Sequence, residues 1–98
     1  MTENSYKTPC GCIHYFVNII DKQKITLVFL PGLTADHRLF EKQIEYFEKK
    51  QNVLVWDAPS HALSRPFTNN YSLSDMAEWL YEIIAKEEIY NLIIIGQS

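Results

Sequence analysis

A serine two residues after a glycine, at the close of an apolar run, is the arrangement in this sequence with the plainest chemical potential. The run is Tyr90 to Ser98, Y-N-L-I-I-I-G-Q-S. Gly96-Gln97-Ser98 makes the first half of G-x-S-x-G, a sharp strand-to-helix turn that lifts a serine oxygen clear of a sheet so that it can attack an electrophile. The second glycine would be residue 100. Taken alone, the same three residues also describe the ordinary opening of a loop after a strand. Cys10 and Cys12 are the only cysteines. A C-x-C pair does not close easily on itself, and with only His14 nearby it supplies at most half a zinc site, so free thiols and no metal are expected.

Composition narrows the classes that remain. With 47% hydrophobic and 21% charged residues in 98, the chain reads as an ordinary globular protein rather than a disordered one. A formal charge of -3 without a basic cluster offers no footprint for nucleic acid or an anionic membrane surface. The apolar runs Ile25 to Leu30 and Leu92 to Ile95 are too short to cross a bilayer, and M-T-E-N-S-Y-K lacks the form of a signal peptide. A cytoplasmic protein with reduced thiols is the expectation.

The elements that must hold Ser98 follow from periodicity. Residues 1 to 9 read as loose, or as a short edge strand around Ser5 to Thr8. Cys12 to Ile20 is dense in β-branched and aromatic residues, and Asp21 to Lys24 reads as a hairpin turn leading into the strand Ile25 to Leu30, which Pro31-Gly32 ends. Asp36 caps a helix starting near His37, with Phe40, Ile44 and Phe47 on one face and Lys49 and Lys50 in the last turn. Val53 to Trp56 is the next strand, and Ser60 to Asn70 is a loop. Ser72 and Asp75 suggest a capping box, opening a helix whose stripe is Leu73, Met76, Ala77, Leu80, Ile83 and Ile84. The last strand, almost wholly apolar, reads as buried on both faces. Its outer edge needs a further neighbour, so these residues are expected to be the N-terminal part of one domain of about 200 to 280 residues. Alternating strands and helices with short connections predict an α/β fold, a mostly parallel sheet with helices on both faces. Ligands of such sheets bind beyond the carboxyl ends of the strands, where Pro31-Gly32-Leu33, Asp57-Ala58-Pro59 and Gly96-Gln97-Ser98 all fall.

Three segments then carry a resemblance to the α/β-hydrolase superfamily. L-V-F-L-P-G-L-T at 27–34 is similar to the family's strand followed by His-Gly-x. V-L-V-W-D-A-P-S-H-A-L-S at 53–64 is similar to its D-x-P-G-H-G-x-S segment, and L-I-I-I-G-Q-S at 92–98 to its nucleophile strand. Order and spacing agree from Ile25 to Ser98, about three quarters of the chain. Two departures stand out. Pro31 replaces a common histidine, and Ser60 and Ala62 replace the glycines that usually flank His61, so that loop is expected to follow a slightly different path.

The resemblance implies a serine hydrolase that cleaves a carboxylic ester or related acyl bond of a small molecule, through an acyl-enzyme on Ser98 and without a cofactor. A serine needs a general base to take its proton. The family's order is serine, acid, histidine, which places the base and the acid beyond residue 98 and leaves His14, His37 and His61 without that role. Asp57 is read as a residue that ties down its loop. One oxyanion amide would be that of Leu33 and the other that of the residue after Ser98, with Gly32 and Gln97 bordering the substrate. Arg38 and Arg65 are read as solvated charge, with contact to an acidic substrate as the other reading, while Trp56 and Trp79 read as packing residues. Two rival functions keep the fold: C–C cleavage or elimination by the same triad, as in the lyase of menaquinone synthesis, and non-catalytic binding.

Overall fold

The computed structural model describes every residue except Leu33, Thr34, Asn69 and Ser98. Its strands are β1 (Thr2–Thr8), β2 (Gly11–Asn18), β3 (Thr26–Leu30), β4 (Asn52–Trp56) and β5 (Leu92–Gly96). Its helices are α1 (Glu41–Phe47), entered through a 3₁₀ turn at His37–Phe40, and α2 (Leu73–Lys86). One sheet holds the strands in the order β1-β2-β4-β3-β5. β3 pairs in parallel with both β4 and β5, whereas β2 runs against β4 and β1 against β2. Four strands therefore share a direction and β2 opposes them.

Alternation along the strands sorts the apolar side chains onto two faces. Leu27, Phe29, Val53 and Val55 meet Phe40 and Ile44 of the α1 side, with Phe47 packed behind. Val28, Leu54 and Trp56 meet Ile83 and Ile89 on the other side, together with Ile13, Tyr15 and Val17 of β2 and the half-buried Met76, Trp79 and Leu80. Helices thus cover both faces, as expected.

Several local expectations need correction. Asp21 to Lys24 does not make a hairpin, because β4 lies between β2 and β3. The buried Asn52 side chain builds that connection instead. Its Oδ1 accepts from the amides of Ile20 (2.7 Å) and Asp21 (3.1 Å), and its Nδ2 donates to the carbonyls of Asp21 (2.7 Å) and Lys24 (3.1 Å). The true hairpin is β1–β2, closed at Thr8–Gly11, where Thr8 Oγ1 accepts from the amides of Cys10 and Gly11, each at 3.1 Å. β1 is a full seven-residue strand rather than a short one, and its polar sequence hid it because its outward side chains face water. α1 stops at Phe47, so Lys49 and Lys50 lie past its last turn, and the Lys50 amine sits 4.2 Å from the Tyr46 ring centroid. Asp36 does cap the turn before α1, accepting from the Arg38 amide at 2.8 Å.

α2 opens with the anticipated capping box: Ser72 Oγ accepts from the Asp75 amide (3.2 Å), and the Asp75 carboxylate accepts from the Ser72 amide (2.9 Å). Leu73 does not join the buried stripe, because it stands exposed at the first turn. Within residues 1–98, β5 is not buried on both faces either. It lies at the edge of the sheet beyond β3, and Ile93 and Ile94 are about half exposed, at 50% and 51%. Ile94 instead lines an apolar groove of about 550 Å³ with Leu80, Tyr81 and Ile84 of α2.

Candidate functional site

The parallel strands β3, β4 and β5 end on one edge of the sheet, and their loops carry the residues singled out by sequence. At the last register pair, Leu30 faces Gly96. The chain then closes across this pair: the Gln97 amide donates to the Leu30 carbonyl at 3.2 Å, and Gln97 Oε1 accepts from the Gly32 amide at 3.0 Å. A Cβ on Gly32 would lie 2.3 Å from the Gln97 carbonyl oxygen and 2.5 Å from its Oε1, distances no side chain tolerates. Glycine at 32 is therefore set by the approach of the β5 end. Gly32 and Gln97 are brought together, and the Gly32 amide is already committed to the Gln97 side chain. The Gly32 carbonyl accepts from the Ala35 amide at 3.0 Å, which starts the return of the loop toward α1. Ser98 and Leu33 lie outside the described residues.

The loop after β4 is braced from within. Asp57 is fully buried, and its carboxylate accepts from the Leu63 amide (3.2 Å) and the His37 amide (2.8 Å), with His37 Nδ1 also 2.8 Å from Oδ1. One carboxylate thus ties its own loop to the start of the α1 segment, in keeping with the anchoring role expected of it. The buried Ser64 hydroxyl donates to the Asp57 carbonyl and accepts from the His14 amide at 2.8 Å. Ser60 and Ala62 adopt φ of 73° and 42°. Both residues therefore take the left-handed conformation that favours glycine, at a local cost of about 1–2 kcal/mol each. The Tyr71 hydroxyl fastens the outer side, donating to the Pro59 carbonyl at 3.1 Å and lying 2.9 Å from Ser60 Oγ. Tyr71 and Phe67 pack with Trp79 in a three-ring cluster, at centroid distances of 5.3 to 5.7 Å, so both aromatic residues anchor the loop to α2. Trp56 is a core residue, as read.

Each of the three histidines has a partner among the described residues. His37 is held by Asp57 and stacks on Phe16 at 4.4 Å. His61 Nδ1 lies 3.0 Å from the Pro59 carbonyl and donates to it, and His14 Nδ1 lies 3.4 Å from Glu3 on β1. The His37–Asp57 pair escaped sequence reasoning. The two residues are 20 apart in different loops, and only the parallel pairing of β3 with β4 makes them neighbours.

Charge at this edge is uneven. Arg38 binds Asp36 with Nε at 3.1 and 3.2 Å and Nη2 at 2.7 Å, and these hydrogen bonds hold the Asp36 carboxyl down to about 2. Arg65 makes no hydrogen bond or ion pair among the described residues. It lines a pocket of about 250 Å³ with Ala35, Asp36, Ser60, His61 and Ala62. Among the described residues no group of three potential metal ligands occurs, and both thiols are free. No helix of the described residues is long and apolar enough to cross a membrane.

Comparison with known proteins supplies the frame for these loops. A family model described as alpha/beta hydrolase fold matches residues 25–98. The (E)-2-((N-methylformamido)methylene)succinate hydrolase of Acinetobacter baylyi is 29% identical over 72 residues, which are 74% of this chain and 27% of that protein. Among solved structures, the Cif epoxide hydrolase from Acinetobacter nosocomialis superposes with a TM-score of 0.84 at 18% identity, over 99% of this chain and 30% of that one. The 1H-3-hydroxy-4-oxoquinoline 2,4-dioxygenase gives 0.82 at 21% identity, over 97% and 36%. The chain therefore spans about a third or less of the length of these relatives.

Proposed function

Because the chain belongs to the alpha/beta hydrolase fold family, we propose that it carries the nucleophile and one oxyanion donor of a serine hydrolase acting on an ester or related acyl bond of a small molecule. In this reading Ser98 Oγ attacks the acyl carbon while a histidine later in the intact protein takes the hydroxyl proton. The carbonyl π-electrons move onto oxygen, and the Leu33 amide and that of the residue after Ser98 stabilise the oxyanion. Collapse expels the leaving group, which receives the proton from the histidine, and water then hydrolyses the acyl-enzyme by the same steps.

One observation supports this reading above the rest: the β3 loop and the β5 end touch, with Gly32 against Gln97 at 3.0 Å. Two adjacent parallel strands thus deliver the residue before Ser98 and the residue before Leu33 to one point. A small-molecule substrate agrees with the name of the Acinetobacter baylyi relative, a hydrolase of a succinate derivative. No cofactor enters these steps.

A fluorophosphonate probe applied to the intact protein tests the proposal. Mass spectrometry should find one adduct on Ser98, and Ser98→Ala should abolish both labelling and turnover of 4-nitrophenyl esters. Labelling that persists in Ser98→Ala would overturn it. A second reading is favoured by the likeness to a dioxygenase, since the same scaffold there serves a reaction that is not hydrolysis. Labelled Ser98 without ester turnover is the result that selects C–C cleavage or elimination.

A further inference from the structure

We propose that the pocket between residues 35–36 and 60–65 is a carboxylate-binding subsite in which Arg65 selects substrates bearing a free carboxylate next to the scissile acyl group. The proposal rests on the hydrolase reading and adds a substrate class to it.

Among the described residues lining this pocket, Arg65 is the one lysine or arginine, and it makes no hydrogen bond or ion pair. Arg38, the other guanidinium nearby, already spends three contacts of 2.7 to 3.2 Å on Asp36. The carboxylates nearby are likewise neutralised or hidden. Asp36 lines the pocket but is paired with Arg38, and Asp57 is fully buried beneath His37 and the Leu63 amide. Among the described residues lining the pocket, an incoming carboxylate therefore meets one free guanidinium and no unpaired carboxylate. The planar fork of Arg65 matches a carboxylate in two parallel hydrogen bonds. Within this pocket one guanidinium balances a monoanion.

The pocket wall is set before any ligand arrives. Ser60, His61 and Ala62 are held by the bonds from Ser60 N to Ser64 O (3.2 Å), His61 N to Ala58 O (2.9 Å) and Ser64 N to His61 O (2.8 Å). Arg65 follows the fully buried Ser64 directly, so its backbone is fixed while its side chain reaches solvent. Such a wall leaves only the guanidinium to order on binding, which favours affinity. The pocket is lined from the loops that follow β3 and β4, and its Ala35 amide bonds the Gly32 carbonyl, so a bound carboxylate would hold the rest of a short substrate at that edge.

Two readouts on the intact protein test this. Succinate binding, followed by calorimetry, should weaken about tenfold in Arg65→Ala and recover in part in Arg65→Lys. Turnover of 4-nitrophenyl hemisuccinate relative to 4-nitrophenyl butyrate, compared as kcat/KM, should favour the hemisuccinate in the wild type. Arg65→Ala should lower that ratio about tenfold, mainly through KM. Both esters turned over with a ratio indifferent to Arg65, or a wild type that neither binds succinate nor prefers the hemisuccinate, would overturn the subsite. Arg65-dependent succinate binding without turnover of either ester would leave the subsite standing and sink the hydrolase reading instead. Melting temperatures of the variants separate loss of fold from loss of contact.

Discussion

Single residues at the strand edge are fixed by contact rather than by type. Gly32 is there because the Gln97 carbonyl leaves no room for a Cβ, a reason visible only once β5 is placed beside β3. Ser60 and Ala62 show the opposite case. Their left-handed φ suits glycine, yet the hydrogen bonds of Ser64 and Tyr71 hold the loop in place regardless. Removing the Cβ should therefore release strain. Ala62→Gly is expected to raise stability by about 1 kcal/mol in urea unfolding, the lower end of the cost of that conformation for an L-residue. A loss instead would mean that the entropy gained by the unfolded chain outweighs the strain at φ 42°. The sequence showed which residues stood in glycine positions but not that both would take a left-handed φ, because that depends on partners in β2 and before α2.

Elements were more legible than their partners. Strands β3 and β4, both helices and the Ser72 cap were all readable from apolar periodicity and end signals, since those are local properties. Pairing is not local, and here the reading of Asp21 to Lys24 as a hairpin failed. What directs the chain past β4 is Asn52, whose carboxamide fills all four of its hydrogen-bonding positions with backbone of residues 20–24. Asn52→Ala is expected to cost about 1–3 kcal/mol, because two amides and the Lys24 carbonyl lose their Asn52 partner and the Asp21 carbonyl keeps only the Lys24 amide, in a part-buried setting. Asn52→Asp should not rescue it, since a carboxylate faces the Asp21 and Lys24 carbonyls without a donor. Urea midpoints of the three proteins decide the matter, and a cost below about 1 kcal/mol would show that water replaces the side chain.

At the scale of the whole molecule, fold class and site edge were legible, and the composition of the site was legible only in outline. The alternation of strands and helices gave the layers, and the rule that ligands sit beyond strand ends gave the edge. The His37–Asp57 tie, the distinct fates of Arg38 and Arg65, and the exposed face of β5 all required the strand order. That order also implies graded stability: β3 and β4 lie inside the sheet, while β1 and β5 stand at its rims. In the chain of residues 1–98, amide exchange of Val28, Leu54 and Val55 should be slowest, and that of Asn4 and Ile94 faster by at least about tenfold. Equal protection across the five strands would contradict the edge position of β5.

Because β2 runs against the strands beside it, the Thr8–Gly11 hairpin emerges at the same rim as the Arg65 loop. There Gly11, at φ 154°, bridges Phe67 so closely that a Cβ would sit 2.6 Å from its ring, and the Cys10 carbonyl accepts from the Thr68 amide at 2.9 Å. The first dozen residues, polar and easy to dismiss as a tail, thus act as a doorframe for a segment coded more than fifty positions downstream. Translation begun at an internal codon would therefore loosen that distant segment as well as strip the outer strand from the sheet.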